Sequence, residues 1–228
     1  MQKPAPSPQS PAIAPNPEAA SNPATKSRAG ILFVISAPSG AGKTSICREI
    51  LQMFPDLLQS ISYTTRAVRD GEKDGVDYHF VTHDVFRSMV DAGAFVEWAE
   101  VHGNRYGTAR PSLAKATAEG ADILLDIDFQ GAEQLRNSDL DAVFIFILPP
   151  NMSELRKRLD ARNTDDGLVI ERRMKNAIGE IAEAVKFDYL VVNDVLEKAV
   201  ATVGAIMKAE TARTKRVRVC LSEEFGLK

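Results

Sequence analysis

The chain has 228 residues, of which 44% are hydrophobic and 26% charged, and a formal net charge of -3. That profile belongs to a globular protein of one or two domains, and without a general basic field it excludes a protein that coats nucleic acid or an anionic membrane. Two cysteines, Cys47 and Cys220, are too few for a disulfide framework or a four-ligand zinc site and suit a reducing compartment.

Residues 1–29 are Pro, Ala, Ser and Asn with hardly any large apolar side chain, so they are expected to be a disordered tail. They carry neither an apolar core of signal-peptide length nor the basic residues of a transit peptide, and no later stretch has the length of a membrane span, so a cytoplasmic location is expected. Residues 31–36 then form an apolar run too short for a helix. It empties into Ala37-Pro38-Ser39-Gly40-Ala41-Gly42-Lys43-Thr44-Ser45, after which Ile46, Ile50 and Leu51 recur at helical spacing. Strand, tight loop and helix in that order are the context that a phosphate-binding loop needs. Glycine permits the angles that turn successive N–H groups toward one anion, the helix start adds partial positive charge, Lys43 adds a full charge, and the Thr44 hydroxyl can ligate Mg²⁺. The pattern is G-x-x-x-x-G-K-[ST] with Ala37 in place of the first glycine, which is compatible only with a negative φ there. The alternative is an ordinary glycine-rich turn whose lysine faces solvent.

Residues 60–66 and 77–81 read as short strands around a glycine-containing loop, which suggests a small antiparallel sheet. Thr82 is placed to cap a helix with the stripe Val85, Phe86, Met89 and Val90, ended by Gly93. A strand over 95–101, a loop over 102–108 and a helix from near Pro111 to Gly120 complete a block inserted into an α/β core. The core resumes with 121–128, an apolar run ending in Asp126 and Asp128, and with the strand 142–148. Asn151 and Glu154 start a basic helix in the manner of a capping box. A helix over 169–185, a strand over 189–192 and a helix over 195–212 follow. Strands alternating with helices predict an α/β fold with a three-layer core around a central parallel sheet, and ligands beyond the C-terminal strand ends.

Several of these stretches occur in the order and spacing of guanylate kinases. They are the phosphate loop, Thr64-Thr65-Arg66 with Arg69, Asp77-Tyr78-His79-Phe80, Phe95-Val96-Glu97-Trp98, Tyr106-Gly107-Thr108, Leu125-Asp126-Ile127-Asp128-Phe129-Gln130-Gly131 and Val192-Asn193-Asp194. Over roughly residues 30–210 the chain resembles that family. The resemblance implies transfer of the γ-phosphoryl group of ATP, with Mg²⁺, to GMP and dGMP. It also implies a P-loop core (30–59, 121–150 and 186–213), a small mixed α+β GMP-binding insertion (about 60–120) and a helical lid (about 151–185), with 214–228 a C-terminal tail. The partners implied are GMP and ATP, with no nucleic acid, no membrane and no particular oligomeric state. A non-catalytic scaffold with the same domain is the other class.

The residues also carry readings of their own. Ser62, Arg66, Arg69 and Tyr78 frame one loop, where two guanidinium forks and a phenol are suited to a bound monophosphate, or else belong to a solvated turn. The resemblance makes Arg66, Arg69, Tyr78 and Tyr106 GMP-phosphate ligands. Glu97 shares a two-residue period with Phe95, Ala99 and Val101. Its carboxylate can accept N1–H and the 2-amino group of guanine, a two-donor edge that adenine lacks, unless it is an edge-strand charge facing water. The matching glutamate of the family reads guanine, and Ser62 and Thr108 match further base-contacting positions. Asp126 and Asp128 share a strand face, where they hold Mg²⁺ through water, orient the acceptor, or cap a neighbouring helix. The family places Asp126 in the GMP site, and Asp128 with Thr44 is the metal candidate. Arg158 and Arg162 lie one turn apart, Arg172 and Arg173 open the next helix, and Glu154 with Arg158 also makes a plain i,i+4 pair. The resemblance favours Lys43, Arg158, Arg162 and Arg173 as transition-state residues and Asn193 as an ATP contact. Asn163 stands where the family usually has glycine, so the lid hinge departs from the pattern.

Overall fold

A computed structural model describes residues 28–101, 103–161 and 167–216. Most of the expected N-terminal tail, the C-terminal segment from 217, and the lid stretch containing Arg162 and Asn163 lie outside the described residues.

The centre is β1 (Leu32–Ser36), in which all five residues are buried. Its faces alternate: Phe33 and Ile35 enter one apolar cluster and Leu32 and Val34 another, so both sides of the strand are dry, as a central parallel strand requires. β2 (Leu58–Gln59), β7 (Ile123–Asp126), β8 (Ala142–Leu148) and β9 (Tyr189–Val192) join it in a parallel sheet of order β2-β7-β1-β8-β9. α1 (Lys43–Met53) and α7 (Leu196–Thr211) bury their apolar stripes on one face. α3 (Arg110–Ala118) and α4 (Phe129–Arg136) cover the other. β1 leaves toward β2 on one side and β8 toward β9 on the other, so a crevice opens at the C-terminal ends of these strands.

The second sheet has the order β4-β3-β6-β5, from β3 (Tyr63–Thr64), β4 (His79–Phe80), β5 (Phe95–Val101) and β6 (Asn104–Ala109). Two expectations are corrected here. The stretch expected as a loop over 102–108 contains β6, which pairs antiparallel with β5 from Val101↔Asn104 to Phe95↔Ala109. The strands expected to be antiparallel, β3 and β4, pair in parallel, and β6 supplies the antiparallel partner of β3. α2 (His83–Asp91) covers this sheet, with the Thr82 hydroxyl accepting from Val85 N at 3.2 Å as its cap. Phe86 of α2 is fully buried, stacked on Phe95 at 4.6 Å between ring centroids and edge-on to Trp98 at 6.3 Å.

α5 (Met152–Asp160) starts at Asn151, whose side chain accepts from Glu154 N at 2.8 Å, and α6 (Gly167–Ala182) runs on into a 3-10 turn, Glu183–Lys186. Leu155 and Leu159 of α5 pack with Ile170 and Ala177 of α6 in a cluster of their own, which keeps this helix pair apart from the sheet core.

The cluster under the second sheet is small, so one ring carries much of it. Phe86→Ala is expected to cost about 3–5 kcal/mol, measured as a lower urea midpoint. A change below about 1 kcal/mol would show that the sheet is held by something other than this aromatic cluster.

Candidate active site

The phosphate loop joins β1 to α1. Its positive φ angles fall at Gly40 (94°) and Gly42 (98°), and the latter caps α1, where helical N–H groups lack internal partners. Ala37 packs into the apolar cluster beside α1. Asn193, at the end of β9 and almost fully buried, donates from Nδ2 to Ala41 O at 2.8 Å, and a Cβ on Gly42 would lie only 2.3 Å from that nitrogen. The loop is thus braced from the β9 side. Arg158 on α5 donates to Asn193 O at 3.0 Å and to Ala41 O at 3.4 Å while pairing with Glu154 at 3.2 Å. Arg173 on α6 reaches Ser39 Oγ at 2.6 Å.

Lys43 is held at the strand ends by Asp126 at 2.6 Å and by Ile127 O at 2.8 Å. Burial opposes its charge, but Asp126, with help from Cys47 and Asp128, outweighs burial and keeps the ammonium pKa above its ordinary value. Asp128 caps α4, its Oδ1 accepting from Gly131 N at 2.8 Å, so the capping alternative holds for this acid while its other oxygen remains beside the loop.

Two cavities meet at this point. One, of about 320 Å³, lies between the sheets and is lined by Ser62, Tyr78, Tyr106, Glu97 and Asp126. The other, of about 710 Å³, runs along the phosphate loop beneath α6. Lys43, Thr44, Val101 and Asp128 line both. Arg66 borders the first through Tyr78, its guanidinium carbon 5.4 Å from the ring centroid, and pairs with Glu72 at 2.8 Å. The Tyr78 hydroxyl is pushed above its ordinary pKa by burial and then by Asp126, so it stays a donor. Arg69 is exposed, with its backbone N–H donating to Glu72 at 2.9 Å.

Glu97 is 4% exposed, and Thr108 donates to its Oε1 at 2.5 Å. Burial, then Asp128, lifts its pKa from 4.5 to about 7 against the opposing pull of Thr108 and Lys43. The expectation that Phe95 shares its face is corrected by a bulge: the register shifts between Phe95 and Glu97, so Phe95 turns into the α2 cluster while Glu97, Ala99 and Val101 line the cavity. Without that extra residue Phe95 would share the cleft face with Glu97 and leave the cluster under α2.

The guanylate kinase family model matches residues 30–210. The chain belongs to the guanylate kinase family. A guanylate kinase of Syntrophotalea carbinolica is 60% identical over 191 residues, which cover 84% of this chain and 91% of the relative. One from Geobacter metallireducens is 51% identical over 200 residues, covering 88% and 98%. The crystal structure of guanylate kinase from Anaplasma phagocytophilum superposes with a TM-score of 0.71 at 34% identity, covering 90% of this chain and all of that one.

The structure adds residues to this guanylate kinase cleft that the sequence did not single out. Asn176, Gly179 and Glu180 join Arg173 along one face of α6 over the phosphate loop, a face legible in the i, i+3, i+7 spacing of Arg173, Asn176 and Glu180. Burial, then Asp128, raises the Glu180 pKa. Among the described residues no three acidic, histidine or cysteine side chains come together around a metal position. The Thr44 hydroxyl and Asp128 suit a hard cation that keeps waters and phosphate oxygens as its remaining ligands.

The Glu97 pKa has a stability consequence. The folded state binds a proton more tightly than the unfolded state between pH 4.5 and about 7, so this group lowers stability as pH rises through that window and its cost is full above it. Glu97→Gln is expected to be more stable than the native protein at pH 8 by up to about 3 kcal/mol, with the difference vanishing near pH 4.5. Urea unfolding followed by Trp98 fluorescence at several pH values checks this. A difference independent of pH would mean that the carboxylate is not desolvated.

Proposed function

We infer that the phosphoryl group passes across the meeting point of the two cavities, from ATP with its phosphates on the 37–45 loop to GMP lying between the sheets. As a member of its family the chain transfers a phosphoryl group from ATP to GMP, giving ADP and GDP. The observation that carries the site assignment is that Lys43, Thr44 and Asp128 line both cavities, so a donor and an acceptor phosphate meet at one ammonium beside a hydroxyl and a carboxylate suited to Mg²⁺. Nothing favours the non-catalytic scaffold, and the phosphate loop keeps both Lys43 and Thr44. We divide the chain as the sequence suggests, into the core, the insertion over about 60–120 and a lid over about 151–185.

In this reading an oxygen of the GMP phosphate attacks the γ-phosphorus of ATP in line, the bond to the bridging oxygen breaks, and ADP leaves without a covalent enzyme intermediate. Little covalent work falls to the protein, so its residues position groups and neutralise charge. Backbone N–H groups of 37–45 hold the ATP phosphates, and Lys43 leaves Asp126 for the β- and γ-phosphates. Arg66, Arg69, Tyr78 and Tyr106 hold the acceptor phosphate, and Asp126, freed of Lys43, orients the acceptor. Glu97 accepts guanine N1–H and the 2-amino group, with Ser62 and Thr108 beside the base. Arg158, Arg162 and Arg173 bring positive charge when α5 and α6 close, and Asn193 supports the loop under the nucleotide. Thr44, and Asp128 through water, would hold Mg²⁺, which would supply further charge neutralisation of the phosphates. dGMP is accepted too. The cytoplasm is the compartment we assign, in keeping with the two scattered cysteines.

Lys43→Met tests the shared-charge reading. Turnover should fall by about 10²–10³-fold, and circular dichroism should show an intact fold, since Lys43 contributes charge and not core packing. ADP release measured with a panel of nucleoside monophosphates should show activity on GMP and dGMP in the native protein. Near-native turnover in the variant would remove the phosphate loop from the mechanism.

A further inference from the structure

We propose that Gly131, in the first turn of α4, is a specificity-determining positioning residue: its missing side chain is the space that the Glu97 carboxylate occupies. The inference rests on the guanine-reading role given to Glu97 above. A Cβ on Gly131 would lie 2.5 Å from Glu97 Oε2 and 3.1 Å from Glu97 Cδ, well inside contact distance. Gly131 has no backbone reason to be glycine. It sits inside a helix, it is not among the glycines with positive φ, and alanine is the better helix former at such a place. Its N–H is already used by the Asp128 cap at 2.8 Å, and alanine would keep that bond.

The surroundings decide which partner must give way. Gln134, one turn further along α4, clamps the backbone of Trp98 in both directions, accepting from Trp98 N at 3.1 Å and donating to Trp98 O at 2.7 Å. That pair fixes the distance between α4 and β5 one residue from Glu97, so the helix is not free to retreat. The carboxylate is the mobile end, tethered by Thr108, whose hydroxyl holds Oε1. An added methyl therefore displaces Oε2, the oxygen that the Thr108 hydroxyl does not hold, at little cost to the fold. The arrangement also places the carboxylate against the N-terminal turn of α4, where the helix dipole favours negative charge.

Guanine and hypoxanthine monophosphates separate this effect from a general one. IMP keeps the N1–H of GMP but lacks the 2-amino group, so loss of a correctly placed second acceptor oxygen falls more heavily on GMP. Gly131→Ala should lower kcat/KM for GMP about 10- to 100-fold, mainly through KM, with a smaller loss for IMP and an unchanged KM for ATP. Its melting temperature should stay close to the native one. In a Glu97→Ala background the added methyl meets no carboxylate, so Gly131→Ala should then cause almost no further change in GMP use or in melting. Native-like GMP preference in Gly131→Ala, equal losses for GMP and IMP, failure to fold, or additive effects in the double variant would each overturn the proposal. Should Glu97→Gln alone leave the preference for GMP over IMP intact, the guanine reading itself fails, and that result is distinct from a failure confined to Gly131.

Discussion

The ion pair between Lys43 and Asp126 joins the end of the phosphate loop to the end of β7, and the rest of the site is arranged around it. A lysine in a half-dry cleft needs a counter-charge, and here a strand-end acid and the Ile127 carbonyl supply it. The same pair stands where the two cavities meet. In the proposed mechanism phosphates arriving on the loop compete with Asp126 for the ammonium, so Lys43 exchanges one charge partner for another and is never left bare in a poorly hydrated place. The loop can make that exchange because it is braced independently of its ligand: Asn193 holds Ala41, and Arg158 ties α5 to both.

The second constraint is the bulge in β5. It lets one strand bury Phe95 under α2 and present Glu97 to the cleft two residues later, which strict alternation forbids. The cost is a buried carboxylate whose pKa rises to about 7. Such a group weakens the empty protein, and in the function proposed for it the cost is offset when guanine brings two donors to it. Stability is given up where recognition is needed, while the flanking aromatic cluster and the Gln134 clamp keep the geometry fixed.

Much of this was legible in the chain. The phosphate loop announces itself because glycines, a lysine and a threonine each have a physical task at fixed spacing, and the apolar runs of β1, β8 and β9 mark a covered parallel sheet. The second sheet was less legible. β6 is polar and carries Gly107, so it reads as a loop until β5 supplies its partner. The two-residue gap between Val101 and Asn104, ending in Gly103, was the hairpin signal that could have revealed it. β3 and β4 are two residues each, and nothing local dictates their direction. The bulge leaves no mark in composition, which is why Phe95 and Glu97 looked like neighbours on one face. α4 is absent from the expected helices, which pass from the strand over 121–128 straight to the strand over 142–148, although Ala132 and Leu135 supply its buried stripe and Asp128 its cap.

The central claim is that Glu97 enters the guanine complex as a carboxylate after resting largely protonated below neutral pH. Proton release on GMP binding, from calorimetric titrations at pH 6 in buffers of different ionisation enthalpy, tests this directly. Because the GMP phosphate also titrates near that pH, the informative quantity is the difference between the native protein and Glu97→Gln. The native protein should release close to one proton more at pH 6, and the excess should disappear by about pH 8.5. Equal release by the two proteins at pH 6 would contradict the account.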